Sequence, residues 1–227
     1  MKSRLDHVKD QIRAAAISCG RKPDTVRLVA VSKTVPVERI LKAIKAGATT
    51  LGENYIQEAG EKIESLKEHD VSWHFIGHLQ SNKAKYAVKL FDLIHSVDSL
   101  KLAKELDKRA RTIDKLQKIL VQVNISGEET KSGIDAAEVF ELVQSVASLK
   151  NLSIRGLMTM PPYFNAPEKV RPYFKALKDL QSQIEQKAIQ NVHMMELSMG
   201  MSGDFETAIQ EGATLIRVGT SIFGERQ

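Results

Sequence analysis

The chain has 227 residues and a net charge of +5, and 42% of its residues are hydrophobic, a composition typical of a water-soluble globular protein. Its single cysteine, Cys19, excludes an intramolecular disulfide, a cysteine-based zinc cluster and an iron–sulfur site. No apolar run approaches the roughly 18 residues of a membrane-spanning helix, and the slight basic excess is spread along the chain. We therefore expect a cytoplasmic protein that binds neither membranes nor nucleic acids.

In chain order, an N-terminal helix at residues 5–18 is followed by short β-branched runs that alternate with amphipathic segments. The runs are mostly apolar, which is typical of buried parallel strands. The predicted strands are 26–31, 49–51, 72–75, 93–96, 119–124, 152–157, 194–197 and 214–218. The segments between them place apolar residues three and four apart, as amphipathic helices do. The predicted helices are 37–46, 56–68, 100–111, 136–149, 170–187 and 205–211.

This alternation predicts a single α/β domain, residues 1–227, because no glycine-, serine- or proline-rich linker divides the chain. Strands followed by helices with right-handed crossovers close most naturally into a (β/α)8 TIM barrel, here with an extra N-terminal helix. A doubly wound open sheet is the alternative fold, and the sequence favours it less. In a barrel, functional groups are expected where strands end and helices begin.

Two of these strand ends are rich in glycine and hydroxyl groups. Residues 198–202 follow the seventh predicted strand, and residues 219–224 follow the eighth. Loops at these two positions of such barrels recurrently bind phosphate, because glycine lets the backbone approach an anion and N–H groups point towards it. Either segment alone could be an ordinary turn or helix cap. Their occurrence at adjacent strand ends favours a phosphate site.

Two cations are associated with apolar strands. Lys33 has the parity of Val29 and Val31, so it points towards the barrel interior if those residues line it. A desolvated lysine amine is suited to a Schiff base with an aldehyde, although a strand-end lysine also commonly reaches back into water. Arg217 lies within the last strand, where its guanidinium needs an acceptor. The candidate acceptors are a ligand at the barrel centre and the carboxylates of Glu53, Glu196 and Asp204.

The spacing of His74 and His78 is suggestive of a metal site. His74 lies in a predicted strand and His78 follows a turn at Gly77, so the two rings need not converge. Since no third histidine or cysteine lies nearby, we expect no metal and a hydrogen-bonded histidine in the core or in a pocket. No Ser-His-Asp order and no carboxylate pair indicates a hydrolytic centre.

Five segments along the chain resemble one known family. They are AVSKT at residues 30–34, GENYIQE at 52–58, WHFIGHLQSNK at 73–83, LSMGMS at 197–202 and RVGTSIFG at 217–224. In this order they resemble the pyridoxal phosphate homeostasis proteins, whose barrel is similar to that of alanine racemase. The match spans the chain from about residue 26 to its C-terminal end.

The resemblance implies a fold-type III barrel that binds pyridoxal 5'-phosphate (PLP), with Lys33 as the lysine that forms the internal aldimine. It also implies that Arg217 faces the pyridine nitrogen and that Asn54 lies beside the cofactor ring. The residues that it assigns to the phosphate are Ser198, Met199, Gly200, Gly219 and Thr220. A permanently charged donor leaves the ring nitrogen unprotonated, which makes the ring a weaker electron sink.

The resemblance also gives the chain length a functional meaning. Fold-type III racemases and decarboxylases carry a second, β-rich domain, whereas this chain ends a few residues after its eighth predicted strand. We therefore expect a site open to water, without a positioned acid–base residue. This favours a monomeric PLP carrier and regulator that contacts apo-enzymes transiently and has no robust catalysis. The alternatives are a minimal PLP-dependent racemase or lyase and a sugar-phosphate or nucleotide barrel without PLP.

Overall fold

The structure, a computed structural model, describes residues 1–128, 131–162, 164 and 166–225. Its strands are β1 (Arg27–Val31), β2 (Thr50–Glu53), β3 (Ser72–Phe75), β4 (Leu93–Val97), β5 (Gln117–Asn124), β6 (Ile134–Asp135), β7 (Leu152–Met158), β8 (Val192–Met201) and β9 (Leu215–Val218). Within the described residues, eight of them form a parallel barrel in the order β4-β3-β2-β1-β9-β8-β7-β5, which a β4–β5 pairing closes. The short β6 pairs only with β5. The predicted (β/α)8 barrel is confirmed, and the open sheet is wrong.

Helices surround the barrel and follow most of its strands. They are α1 (Lys2–Ser18), α2 (Val37–Lys45), α3 (Ile56–Ser65), α4 (Ala84–Leu90), α5 (Leu100–Arg111), α6 (Val139–Ala147), α7 (Arg171–Gln186), α8 (Phe205–Gln210) and α9 (Thr220–Phe223). The predicted extra N-terminal helix is α1. No helix in the described part of the chain has the length and apolar character needed to cross a membrane.

Most of the buried apolar side chains in the described part of the chain belong to one of two clusters. The smaller one fills the barrel interior and consists of Val29, Leu93, Leu120, Met158 and Leu215. The larger one lies between the strands and the surrounding helices, and α1 contributes to it through residues such as Leu5 and Val8. The barrel is therefore a packed core rather than a pore, which leaves its carboxyl end as the place for a ligand.

Most differences from the predicted elements concern where helices begin and end. The helix α4, which has only seven residues, was not predicted from the sequence. The helix predicted at 136–149 begins only at Val139, because residues 136–138 form a turn in which the Asp135 carboxylate accepts a hydrogen bond from the Ala137 N–H at 2.8 Å. α2 ends at Lys45, one residue before its predicted end, and Gly47, with a φ of 97°, takes the chain out of the helix.

The seventh predicted strand is longer than expected. β8 continues to Met201, so Ser198 and Gly200 lie within the strand and not in a loop after it. Ser198 pairs with Leu215 and Met201 with Arg217, so the register shifts by one residue at this bulge. Gly200 absorbs the extra residue with a φ of 91°, and a Cβ atom there would lie 2.6 Å from the Cβ of Ala208.

Candidate functional site

The carboxyl ends of the parallel strands bring most of the predicted site residues to one end of the barrel. Lys33 follows β1, Asn54 follows β2, and Gly219 follows β9. β1 and β9 are direct neighbours, with Ala30 opposite Val218. Gly219 packs against β1, since a Cβ atom at this position would lie 3.4 Å from the Val31 carbonyl oxygen. The Gly219 turn is therefore adjacent to the strand that leads into Lys33.

Lys33 itself lies in a turn and is half-buried. Val29 is fully buried in the barrel interior, as its parity predicts, but the strand ends at Val31, two residues before the lysine. Ser32 is completely buried, and Thr34 has a φ of 61°, which is uncommon for a residue other than glycine. The backbone on both sides of Lys33 is thus tightly constrained. That its side chain points into the barrel mouth stays a prediction.

A buried ion pair is hydrogen-bonded to the backbone of this turn. The Lys62 ammonium, on α3, contacts Glu53 Oε1 at 2.8 Å and Glu58 Oε1 at 2.5 Å, and it donates to the Ser32 carbonyl oxygen at 2.6 Å. The Ser32 hydroxyl donates to the same Glu53 oxygen at 2.6 Å. Burial raises the pKa of the Glu53 carboxyl, while the hydrogen bonds from Lys62 and Ser32 act in the opposite direction. The Glu58 carboxylate also accepts a hydrogen bond from the Thr34 N–H at 2.6 Å.

Arg217 is buried within β9, and its protein acceptors are neutral. Its Nη1 donates to the Ser198 hydroxyl at 2.5 Å, and its Nη2 donates to the Thr159 carbonyl oxygen at 2.9 Å. Burial lowers the pKa of the guanidinium to about 10, an effect that the charge of Asp204 opposes. Arg217 therefore remains positively charged at neutral pH.

The three carboxylates considered as partners of Arg217 have other partners. Glu53 pairs with Lys62, Glu196 forms an ion pair with Arg27, and Asp204 accepts a hydrogen bond from the Met201 N–H at 2.6 Å. Across the described residues, Arg217 forms no ion pair. In the described part of the chain, no carboxylate is therefore bonded directly to the guanidinium, and Asp204 acts on it only through its charge.

A chain of hydrogen bonds leads from Arg217 into the barrel interior. The Ser198 hydroxyl lies 2.9 Å from Nδ1 of His95, and Nε2 of His95 lies 3.0 Å from Nδ1 of His74. Burial lowers the pKa of His74 to about 3 and that of His95 well below its usual value. With both rings neutral, every bond is satisfied if Ser198 donates to His95 and His95 donates to His74. The hydrogen-bonded histidine that we predicted is therefore His74, whereas His78 is exposed.

Asn54 carries an unpaired polar atom close to the same mouth. Its Oδ1 is buried and has no hydrogen-bond partner among the described residues. Its backbone is packed so tightly against Gly77 that a Cβ atom there would lie 2.3 Å from the Asn54 carbonyl oxygen. Because an unpaired buried acceptor is costly, a donor from a ligand is the expected partner. The unpaired oxygen and a guanidinium without a directly bonded carboxylate together fit a small, polar, anionic ligand.

The residues predicted to bind phosphate fall into two groups. Ser198 and Met199 are fully buried, and the Ser198 hydroxyl is already engaged by Arg217 and His95. Thr220 is exposed at the start of α9, and its hydroxyl lies 3.3 Å from that of Ser202 after β8. This contact joins the two strand ends from which a phosphate site was predicted. The assignment of Ser198, Met199, Gly200, Gly219 and Thr220 to phosphate stays a prediction.

Lys62 and His95 were not predicted as site residues from the sequence. Lys62 carries a detectable signal, because Ile56, Ala59 and Lys62 follow one another at intervals of three and therefore lie on the buried face of α3. A charged residue on that face indicates a buried partner. His95 follows two apolar residues in a predicted strand, but its partners Ser198 and His74 are distant in sequence.

Several known proteins are similar to this chain. Residues 3–227 match the family described as alanine racemase, N-terminal domain. The pyridoxal phosphate homeostasis protein of Aquifex aeolicus is 46% identical over 224 residues, which cover 99% of this chain and 97% of the relative. The protein of the same description from Escherichia coli strain K12 is 44% identical over 228 residues, with 98% and 95% covered.

Several solved structures are also similar to this chain. PipY of Synechococcus elongatus PCC7942 with PLP bound is 38% identical, with a TM-score of 0.83 over 94% of this chain and 100% of that chain. Alanine racemase from Corynebacterium glutamicum is 16% identical, with a TM-score of 0.67 over 96% of this chain and 60% of that chain, and it shows the shared fold alone. From the match to the family and the identity to its members, the chain belongs to the pyridoxal phosphate homeostasis proteins, with the fold of the alanine racemase N-terminal domain.

Proposed function

We propose that the chain binds PLP at the carboxyl end of the barrel, holds it on Lys33 and serves in PLP homeostasis as a carrier without robust catalysis. The observation that carries this proposal is the buried Arg217, which has no carboxylate partner in the described structure and lies in the strand next to the one leading into Lys33. PLP bound to PipY, a relative 38% identical to this chain, supports the choice of ligand.

The residues at the mouth fit the parts of this cofactor. When bound, PLP supplies an aldehyde that reacts reversibly with a lysine amine, together with a ring nitrogen and an anionic phosphate. Lys33 holds the aldehyde end, and Asn54 lies beside the ring with its unpaired Oδ1. The residues assigned to the phosphate are Ser198, Met199 and Gly200, in the last part of β8, and Gly219 and Thr220, which follow β9.

Arg217 sets the protonation of the ring nitrogen in this proposal. Its pKa of about 10 keeps the guanidinium charged at neutral pH, so it donates a hydrogen bond and retains its proton. Ser198 and Thr159 fix two of its nitrogens and thereby its direction. A ring nitrogen that only accepts a hydrogen bond withdraws electrons weakly, which favours storage over bond cleavage.

The buried polar groups near the mouth also support a role without turnover. His95 is held between Ser198 and His74, and Oε1 of Glu53 is held by Lys62 and Ser32. A general base must reach the proton that it removes, and groups held in this way are poorly placed to do so. The curated relatives are likewise named for homeostasis. We propose that the protein acts as a monomer and releases PLP to apo-enzymes through transient contacts.

The competing function is a minimal PLP-dependent racemase or lyase. The PLP-loaded protein, incubated with each common amino acid in turn, is expected to yield no more racemised or cleaved product than free PLP at the same concentration. Chiral chromatography and mass spectrometry of the amino acids measure this. Product formation over many turnovers per protein molecule, absent from a Lys33→Met variant, would establish an enzyme instead.

A further inference from the structure

Both neighbours of Lys33 are attached to helix α3. The carbonyl oxygen of Ser32 accepts a hydrogen bond from Lys62 Nζ at 2.6 Å, and the N–H of Thr34 donates to Glu58 Oε1 at 2.6 Å. The turn that carries Lys33 is therefore held on each side by a charged side chain of the same helix. Both contacts are made to the backbone of the turn and not to its side chains.

Lys62 is the centre of this arrangement. Its side chain is 6% exposed, and its three hydrogen bonds go to Ser32, Glu53 and Glu58. An ammonium group has three N–H donors, so these acceptors use all of them. Burying such a group contributes little net stability compared with an apolar side chain, which makes a role in fixing geometry the better explanation.

Thr34 shows why the turn needs such support. Its φ of 61° lies in the left-handed region, which a β-branched residue rarely adopts. A residue in this conformation persists only where its surroundings hold it. The hydrogen bond from the Thr34 N–H to Glu58 is one such restraint, and Glu58 is itself oriented by Lys62 at 2.5 Å.

We infer that Lys62 and Glu58 are positioning residues, which hold Ser32 and Thr34 so that the amine of Lys33 meets the aldehyde of bound PLP. This inference rests on the proposed function. The inference distinguishes two contributions to PLP affinity. Helix α3 would affect the bond between Lys33 and the aldehyde, and it would leave the contacts to the phosphate and the ring unaffected. The affinity for a ligand that lacks the aldehyde should therefore not change when Glu58 is substituted.

The test compares PLP with 4-deoxypyridoxine 5'-phosphate, which has the ring and the phosphate but no aldehyde. Glu58→Ala is expected to lower the affinity for PLP about tenfold and to leave that for the analogue within about twofold. Glu58→Gln keeps an oxygen that can accept from Thr34 and should restore most of the affinity. Glu61→Ala, an exposed carboxylate on the same helix, is the matched control and should bind both ligands normally.

A second measurement tests directly whether Glu58 restrains the turn that carries Lys33. In Glu58→Ala without ligand, hydrogen exchange of the backbone at residues 32–35 should become faster while exchange in β5 and β7 stays unchanged. Equal loss of affinity for PLP and for the analogue, or an unchanged affinity for PLP, would overturn the inference. If the unaltered protein binds the analogue as tightly as PLP and forms no bond to Lys33, the proposed function itself fails, and the inference with it.

Discussion

A Lys33→Met variant is expected to bind PLP at least about 100-fold more weakly than the unaltered protein, because it loses the covalent contribution and keeps only contacts to the ring and phosphate. Methionine has nearly the shape of the lysine stem, so the buried surroundings of the turn are retained. Equilibrium titration followed by absorbance measures the change. The affinity for 4-deoxypyridoxine 5'-phosphate should stay within about threefold, since this ligand never uses the lysine amine.

The matched control for this variant is Lys45→Met, which removes an exposed lysine at the end of α2. It should leave the affinity for both ligands unchanged. A Lys33→Met protein that binds PLP within about fivefold of the unaltered protein would show that Lys33 contributes no covalent anchor. An equal loss of affinity for both ligands would instead indicate a disrupted barrel mouth. This result would contradict the assignment of Lys33 to the aldehyde alone.

The buried histidines predict a steep loss of stability in acid. In the folded protein, burial lowers the pKa of His74 to about 3 and that of His95 well below its usual value. The unfolded chain, with histidine pKa values near about 6.5, therefore binds more protons as the pH falls below that value. The free energy of unfolding should fall by up to about 1.4 kcal/mol per pH unit for each histidine, from about pH 6.5 towards the folded pKa.

Urea unfolding between pH 7 and pH 4 tests this expectation. A His74→Asn/His95→Asn variant is less stable at pH 7, because asparagine does not reproduce the chain to Ser198, but its stability should depend less on pH. Buried carboxyls such as Glu53, whose pKa is raised, are present in both proteins and cancel in the comparison. Exposed His193 supplies the control, since His193→Asn should retain the steep dependence. The same steep dependence in the double variant would contradict the role of the buried pair.

The barrel could be predicted from the sequence because each strand and helix is indicated by the residues of its own segment. Each short apolar run and each amphipathic segment reports its own conformation, and their order fixes a parallel closed sheet. The same reasoning placed Lys33 and Gly219 at strand ends, where the structure has them. Arg217 was predicted to need an acceptor, and the structure shows that no carboxylate among the described residues supplies it.

The hydrogen bonds around the site could not be predicted, because they join residues that are far apart in the sequence. His95 and Ser198 are separated by 103 residues, and Lys62 and Ser32 by 30. Their contact follows from the position of each residue along its strand or helix, and hydrophobic patterns do not specify this to one residue. The bulge at Gly200 is another example, since it lies in the part of β8 that continues from the predicted end at residue 197 to Met201.

The most direct test of the account is to identify the lysine that holds the cofactor. The protein is loaded with PLP and reduced with borohydride, and its peptides are then mapped by mass spectrometry. The account predicts a single major modified peptide that carries the adduct on Lys33, and no such peptide when 4-deoxypyridoxine 5'-phosphate replaces PLP. An adduct on another lysine, or tight binding of PLP without any adduct, would contradict it.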